Sequence, residues 1–241
     1  MKKLFLEKIR LSWYFFILLY VFSVTVIFAP NVKFESGALA LFSVNSFLYG
    51  FYIAPILSAQ KARIEELHKI VRMESNAIFS MVIDSKKLPK ELRNHIQDMF
   101  IMYINTSIQQ RKPGEGEAHY EALISYCLTY EGKYRKEIDK LLDKLVANQV
   151  NRTNFSMQMR NKVYSNEWVI MLVLFSITLT FVILLESGKG IFYQFLAAFL
   201  CTGLTMLLII LAKMSTLTHK KATQIWDPYK KLISSHFYRI D

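Results

Sequence analysis

The chain has 241 residues and a net charge of +11, and combines an apolar share of 53% with 20% charged residues. Charge is near the soluble norm while apolarity is high, and the apolar residues gather in a few long blocks, so the chain divides between lipid and water. The positive charge comes with no groove-reading motif, which sets nucleic-acid binding aside and leaves basic residues flanking membrane spans as its cause.

A helix needs about 20 mostly apolar residues to cross ~30 Å of hydrocarbon. The first block that qualifies is Leu11–Ala29. It follows Met-Lys-Lys as a signal peptide would, but its apolar run is too long for one and no small-x-small cleavage site follows, so it reads as a retained span. A short turn, Pro30–Ser36, leads into the second block, Gly37–Leu57. Such a turn makes the pair an antiparallel hairpin.

From Ala59 the second span continues as a helix through Asp84, because Ile64, Leu67, Val71, Ile78 and Met81 recur at helical spacing with no Gly or Pro between them. Leu88-Pro89 marks a break and Pro89 is placed to open the next helix, which runs to about Gln110. Lys112-Pro113-Gly114-Glu115-Gly116 is a loop. A long helix then starts near Glu117 with one apolar stripe, Tyr120, Leu123, Cys127, Tyr130, Tyr134, Ile138, Leu141 and Leu145. It is expected to run on toward Tyr164, with Gly132 a local weakness.

The last two blocks, Trp168–Leu185 and Ile191–Ala212, flank the turn Glu186–Gly190 and form a second hairpin. Trp13, Tyr14 and Trp168 stand at span ends, where amphipathic rings favour the interface. Lys2, Lys3, Lys8, Arg10, Lys61, Arg63, Arg160, Lys162, Lys213, Lys220 and Lys221 all lie on one side. The turns carry only Lys33 and Lys189, balanced by Glu35 and Glu186. The asymmetry places both termini and the middle region in the cytosol. The sequons at Asn151 and Asn154 then have no meaning. The resulting plan is all-α: residues 1–58 a first hairpin, 59–165 a cytosolic helical domain, 166–213 a second hairpin and 214–241 a basic tail.

Chemistry is sparse. Cys127 and Cys201 belong to no metal-ligand or disulfide pattern and read as small buried apolar residues. Glu65 and His68 share a helix face at a spacing used in di-metal bundles, but no second Glu-x-x-His exists, so neither a metal nor another cofactor is expected. No P-loop, G-x-S-x-G, H-E-x-x-H or kinase signature occurs, and an enzyme is not expected. The spans carry no ionisable residue at depth, which argues against a proton-coupled transporter and leaves room for a channel with an apolar gate.

Within the second span, Ser46-Phe47-Leu48-Tyr49-Gly50-Phe51-Tyr52 resembles the Ser-Phe-x-x-Gly-Phe-Tyr segment of the pore-lining helix of bestrophin ion channels. Ile225-Trp226-Asp227-Pro228-Tyr229 is similar to the Asn-Pro-Phe that follows the last span there. Glu74-Ser75-Asn76-Ala77, Leu88-Pro89 and Tyr103 resemble the pattern of a bacterial bestrophin-like family of the same topology. The resemblance implies a homo-oligomer, a pentamer in bestrophins, in the bacterial inner membrane. Second spans would surround an axial pore, with neck positions at Ser43, Phe47 and Phe51. These lie one turn apart on one helix face. Gly50 would admit a neighbouring helix and Pro55 could kink the span.

Two departures stand out. Ser43 replaces a larger apolar residue. Lys230-Lys231 stand where the animal channels have an acidic calcium clasp, so calcium activation is not expected. The implied function is an ion channel, with anions favoured by the basic flanks. The alternative is a non-conducting scaffold, signalling or defence module that meets a protein partner through its cytosolic helices. In that case Phe47 and Phe51 are ordinary packing or lipid contacts.

Overall fold

The computed structural model describes residues 9–30, 32–110, 116–185 and 190–234. Among these the chain is all-helical, and four helices are long and apolar enough to cross a membrane. The elements are α1 (Leu11–Phe28), α2 (Ser36–Ser85), α3 (Lys90–Gln110), α4 (Glu117–Thr129), α5 (Arg135–Arg160), α6 (Ser165–Leu184), α7 (Ile191–Ser215), α8 (Lys220–Thr223), a 3-10 turn (Gln224–Trp226) and α9 (Asp227–Ser234). Lys2, Lys3, Lys8, the loop from Lys112 to Glu115, and Glu186 and Lys189 of the second turn lie outside the described residues. The chain divides into two compact units. One holds the described residues of Met1–Ala62 and Lys162–Ala222, the other those of Arg63–Asn161 and Thr223–Asp241.

In the first unit α1 packs most extensively on α7, which also receives α6. Phe22 of α1 meets Val182, Ala198 and Cys201 in one apolar cluster. The first half of α2 is held by its polar residues. Asn45 donates its amide to the Leu174 carbonyl at 2.9 Å and to Thr178 Oγ1 at 2.8 Å, and the Tyr49 hydroxyl reaches the Leu204 carbonyl at 3.3 Å. Tyr49 and Ile53 then pack on Met171, Leu208 and Leu211. Hydrogen bonds of this kind give apolar helices in lipid a specific rotational setting that dispersion alone supplies weakly. Lys213, at the end of α7, is buried; its ammonium donates to the Ile9 carbonyl at 2.7 Å and lies 5.0 Å from the centre of the Tyr14 ring.

In the second unit α2 continues without interruption to Ser85, as the spacing of Ile64, Leu67, Val71, Ile78 and Met81 requires; all five are buried. α3 opens directly after Pro89, whose carbonyl accepts the Arg93 amide at 2.9 Å. The expected long helix from Glu117 is corrected in two places. It breaks over residues 130–134, and α5 folds back along α4, so that the Tyr120 hydroxyl donates to the Leu145 carbonyl at 2.9 Å. The break is closed by Arg135 Nη1, which caps the carbonyls of Leu128 at 3.0 Å and Tyr130 at 2.8 Å.

The second correction is at residues 161–164, where α5 ends short of α6. The terminal carbonyls of a helix need outside donors, and buried Arg63 supplies them to Gln158 at 2.7 Å and Met159 at 3.2 Å. Arg63→Met orphans those carbonyls, at about 1–3 kcal/mol. Hydrogen exchange should accelerate in the last turn of α5 while α3 stays protected.

Candidate functional site

Two faces of the long helix α2 carry the candidate chemistry. On its span half, Tyr49 and Ile53 are 2% and 3% exposed against α6 and α7, whereas Phe47 and Phe51 are 69% and 70% exposed. The two phenyl rings stack on each other at 6.0 Å between centroids with an interplanar angle of 19°. Ser43 continues the same exposed face and returns its hydroxyl to the Leu39 carbonyl at 3.0 Å, so it does not present an unsatisfied donor. A Cβ added at Gly50 would meet no atom within 4 Å. Among the described residues no neighbouring helix packs against that position. The helix runs on through Pro55. The sequence-derived residues Ser43, Phe47, Gly50 and Phe51 therefore lie together on one apolar, unpacked strip.

The other face lies in the second unit. Positions 64, 67, 71, 74, 78 and 81 of α2 follow one helical stripe, and the residue at the fourth is a glutamate. Glu74 is 1% exposed. Its carboxylate accepts hydrogen bonds from the hydroxyls of Tyr103 in α3 and Tyr229 in α9 and from the Asn148 side chain in α5, and lies within electrostatic reach of Arg152. Burial pushes the Glu74 carboxyl above its ordinary range, outweighing the hydrogen bonds and the arginine that pull it down. Burial also raises the Tyr103 and Tyr229 phenols well above the ordinary value, and Tyr120 to about 12.

Arg152 is the counter-charge. Its guanidinium lies 3.8 Å from the centre of the Tyr120 ring and 5.3 Å from that of Tyr103, and it forms an ion pair with Glu117. Asn148 Nδ2 donates to the Tyr120 hydroxyl at 3.0 Å. Gly116 stands at the edge of this cluster, where any Cβ would strike Ser107 Oγ and the Tyr103 ring. Beside it a cavity of about 20 Å³, lined by Tyr103, Glu117, Arg152, Trp226 and Tyr229, is large enough for one water molecule.

The segment after the last span thus has a definite place. Tyr229 is buried on Glu74, Pro228 offers its carbonyl to Ser75 Oγ at 3.4 Å, and Asp227 pairs with Lys230 at 3.7 Å on the surface. The quoted Glu74 and Tyr103 echoes are brought into direct contact. No group of three or more potential metal ligands occurs among the described residues. The chemistry of the buried cluster is that of a closed polar network joining α2, α3, α4, α5 and the tail.

No protein-family model, no curated protein and no solved structure matches the chain.

Proposed function

We propose that the chain is an oligomeric ion channel of the cytoplasmic membrane, built from two helical hairpins with both termini and the helical domain on the cytosolic side. In this reading α2 helices from several copies surround an axial pore, Ser43, Phe47 and Phe51 face it, and the protein performs no catalysis. The single observation that supports it is the strip on α2. Asn45 and Tyr49 fix the rotation of the helix, and that rotation turns two stacked phenylalanines away from the rest of the chain. Phenyl rings contributed by several copies around one axis make a narrow apolar constriction that excludes water until it widens. The resemblance of residues 46–52 to a pore-lining segment adds to this. Basic residues at the cytosolic ends of the spans favour anions in the vestibule. Five-fold assembly follows the same resemblance.

The test is flux. Wild-type protein and the Phe47→Ala/Phe51→Ala variant are reconstituted in liposomes, and chloride and potassium movements are recorded. Truncating two rings per copy widens a constriction, so chloride flux should rise at least severalfold or selectivity should change in the double variant. Equal flux in both places the gate elsewhere. No flux from a well-folded oligomer in either sinks the pore and leaves a scaffold or partner-dependent module.

A further inference from the structure

A second feature of the second unit lies outside both the pore strip and the buried network. The outer face of α2 and the tail enclose an open basin of about 690 Å³. Its α2 side carries His68, Arg72, Asn76 and Phe79, and its tail side Asp227 and Lys231. The α2 residues recur at three- and four-residue steps, so they share one helix face, and Asp227 and Lys231 share one turn of α9.

The charges in this basin do not balance. Asp227, the carboxylate among its lining residues, is engaged by Lys230 at 3.7 Å. Arg72 and Lys231 have no ion-pair partner among the described residues. Two uncompensated cations brought to one concavity from separate elements repel each other unless an anion lies between them. The Asn76 amide adds a hydrogen-bonding group, and Phe79 and Pro228 supply an apolar wall. A guanidinium fork, an ammonium and an amide lining one basin suit tetrahedral anionic oxygens.

We propose that this basin is a binding site for a phosphate-bearing ligand, held between Arg72 of α2 and Lys231 of α9. Bound there, the phosphate joins the tail to α2 across its surface, while Tyr229 and Glu74 join the same two elements beneath it. The site stands whether or not the protein conducts ions. The phosphate belongs either to a soluble molecule or to a lipid headgroup, and the two are separable by experiment.

The full-length protein in neutral detergent is titrated by calorimetry with inorganic pyrophosphate, and in parallel with phosphatidic acid in mixed micelles against phosphatidylcholine micelles. Saturable binding of pyrophosphate points to a soluble ligand; binding of phosphatidic acid alone points to a headgroup. Either must weaken at least tenfold in Arg72→Gln/Lys231→Gln and be largely kept in Arg72→Lys/Lys231→Arg, which preserves the charge. A control, Lys133→Gln/Lys140→Gln, removes two exposed lysines elsewhere on the unit and should bind as wild type. The site is refuted if wild type shows no saturable binding of either probe. It is equally refuted if the basin variant binds as wild type, or if the control loses as much affinity as the basin variant does.

Discussion

Replacing Arg152 by methionine destabilises the second unit by about 3–5 kcal/mol, the cost of breaking a buried ion pair from one side. Methionine matches the aliphatic stem and fills the space, so the effect isolates the guanidinium. Its side chain is 3% exposed, and it neutralises Glu117, lies on the Tyr120 face and offsets Glu74. Removing it leaves the half-buried Glu117 without its cation and takes from buried Glu74 a charge that draws its carboxyl down. The melting midpoint in detergent should fall by roughly 10 °C or more for a unit of this size, and hydrogen exchange should rise across α4 and α5 together. Arg152→Lys is the informative intermediate: it keeps the charge but cannot fork to Glu117 and Gln149 while stacking on the phenol. If methionine is tolerated within about 1 kcal/mol, the network is surface-like in its energetics.

How far this was legible in the sequence differs by element, for physical reasons. The four apolar helices were, because lipid demands both length and apolarity of any span and no internal packing can substitute for either. The start of α3 after Pro89 was as well, since proline is tolerated where a helix lacks an internal acceptor for its N–H. The α4–α5 break was not. Tyr120, Leu123 and Cys127 on one side and Ile138, Leu141 and Leu145 on the other keep one continuous phase. A helix that folds back on itself buries the same stripe on both arms, so periodicity alone does not separate a hairpin from a rod. Gly132 was the available signal, and it was read as a weak point rather than a turn. The end of α5 depends on Arg63, which is 95 residues away from Gln158.

For the site, the pore strip of Ser43, Phe47, Gly50 and Phe51 was named from local spacing, and the structure keeps those residues on one unpacked face. The Glu74–Arg152 network was missed because its residues are spread over five elements far apart in the chain. A signal existed. Glu74 falls in phase with Val71 and Ile78, and Asn148 and Arg152 continue the phase of Leu141 and Leu145. Polar groups on an apolar stripe must find partners when the stripe is buried, so each stripe announced that another helix carries the complement. Asp227-Pro228-Tyr229 had been read as a motif following a span. Its tyrosine is the part that reaches the core, and the aspartate stays at the surface.

The second large effect concerns pH. Burial raises the Glu74 carboxyl above its ordinary value of 4.5. Over the interval between that value and the raised one, the folded unit holds a proton that the unfolded chain has released. The sign follows from linkage: this contribution is complete below the unfolded value and is lost as pH rises through the folded one. Where the folded group is protonated and the unfolded group is not, stability falls with rising pH by about 1.4 kcal/mol per pH unit. The groups facing Glu74 are Tyr103, Tyr229, Asn148 and Arg152. Burial raises both phenols well above their ordinary value and asparagine does not titrate, so the Glu74 carboxyl is the group among these that gives up its proton first as pH rises from its ordinary value. Glu74→Gln keeps an acceptor for Tyr103 and mimics the protonated acid. The variant should therefore match wild type in acid and exceed it progressively as pH rises, its own profile having lost the Glu74 slope. Parallel wild-type and variant profiles across that interval would mean that Glu74 titrates alike in the folded and unfolded chains. The hydrogen bonds of Tyr103, Tyr229 and Asn148 and the charge of Arg152 would then just offset its burial. Because Tyr229 is the tail's contact with Glu74, the same experiment followed by hydrogen exchange at residues 227–234 reads whether charging the carboxylate loosens α9 from α2.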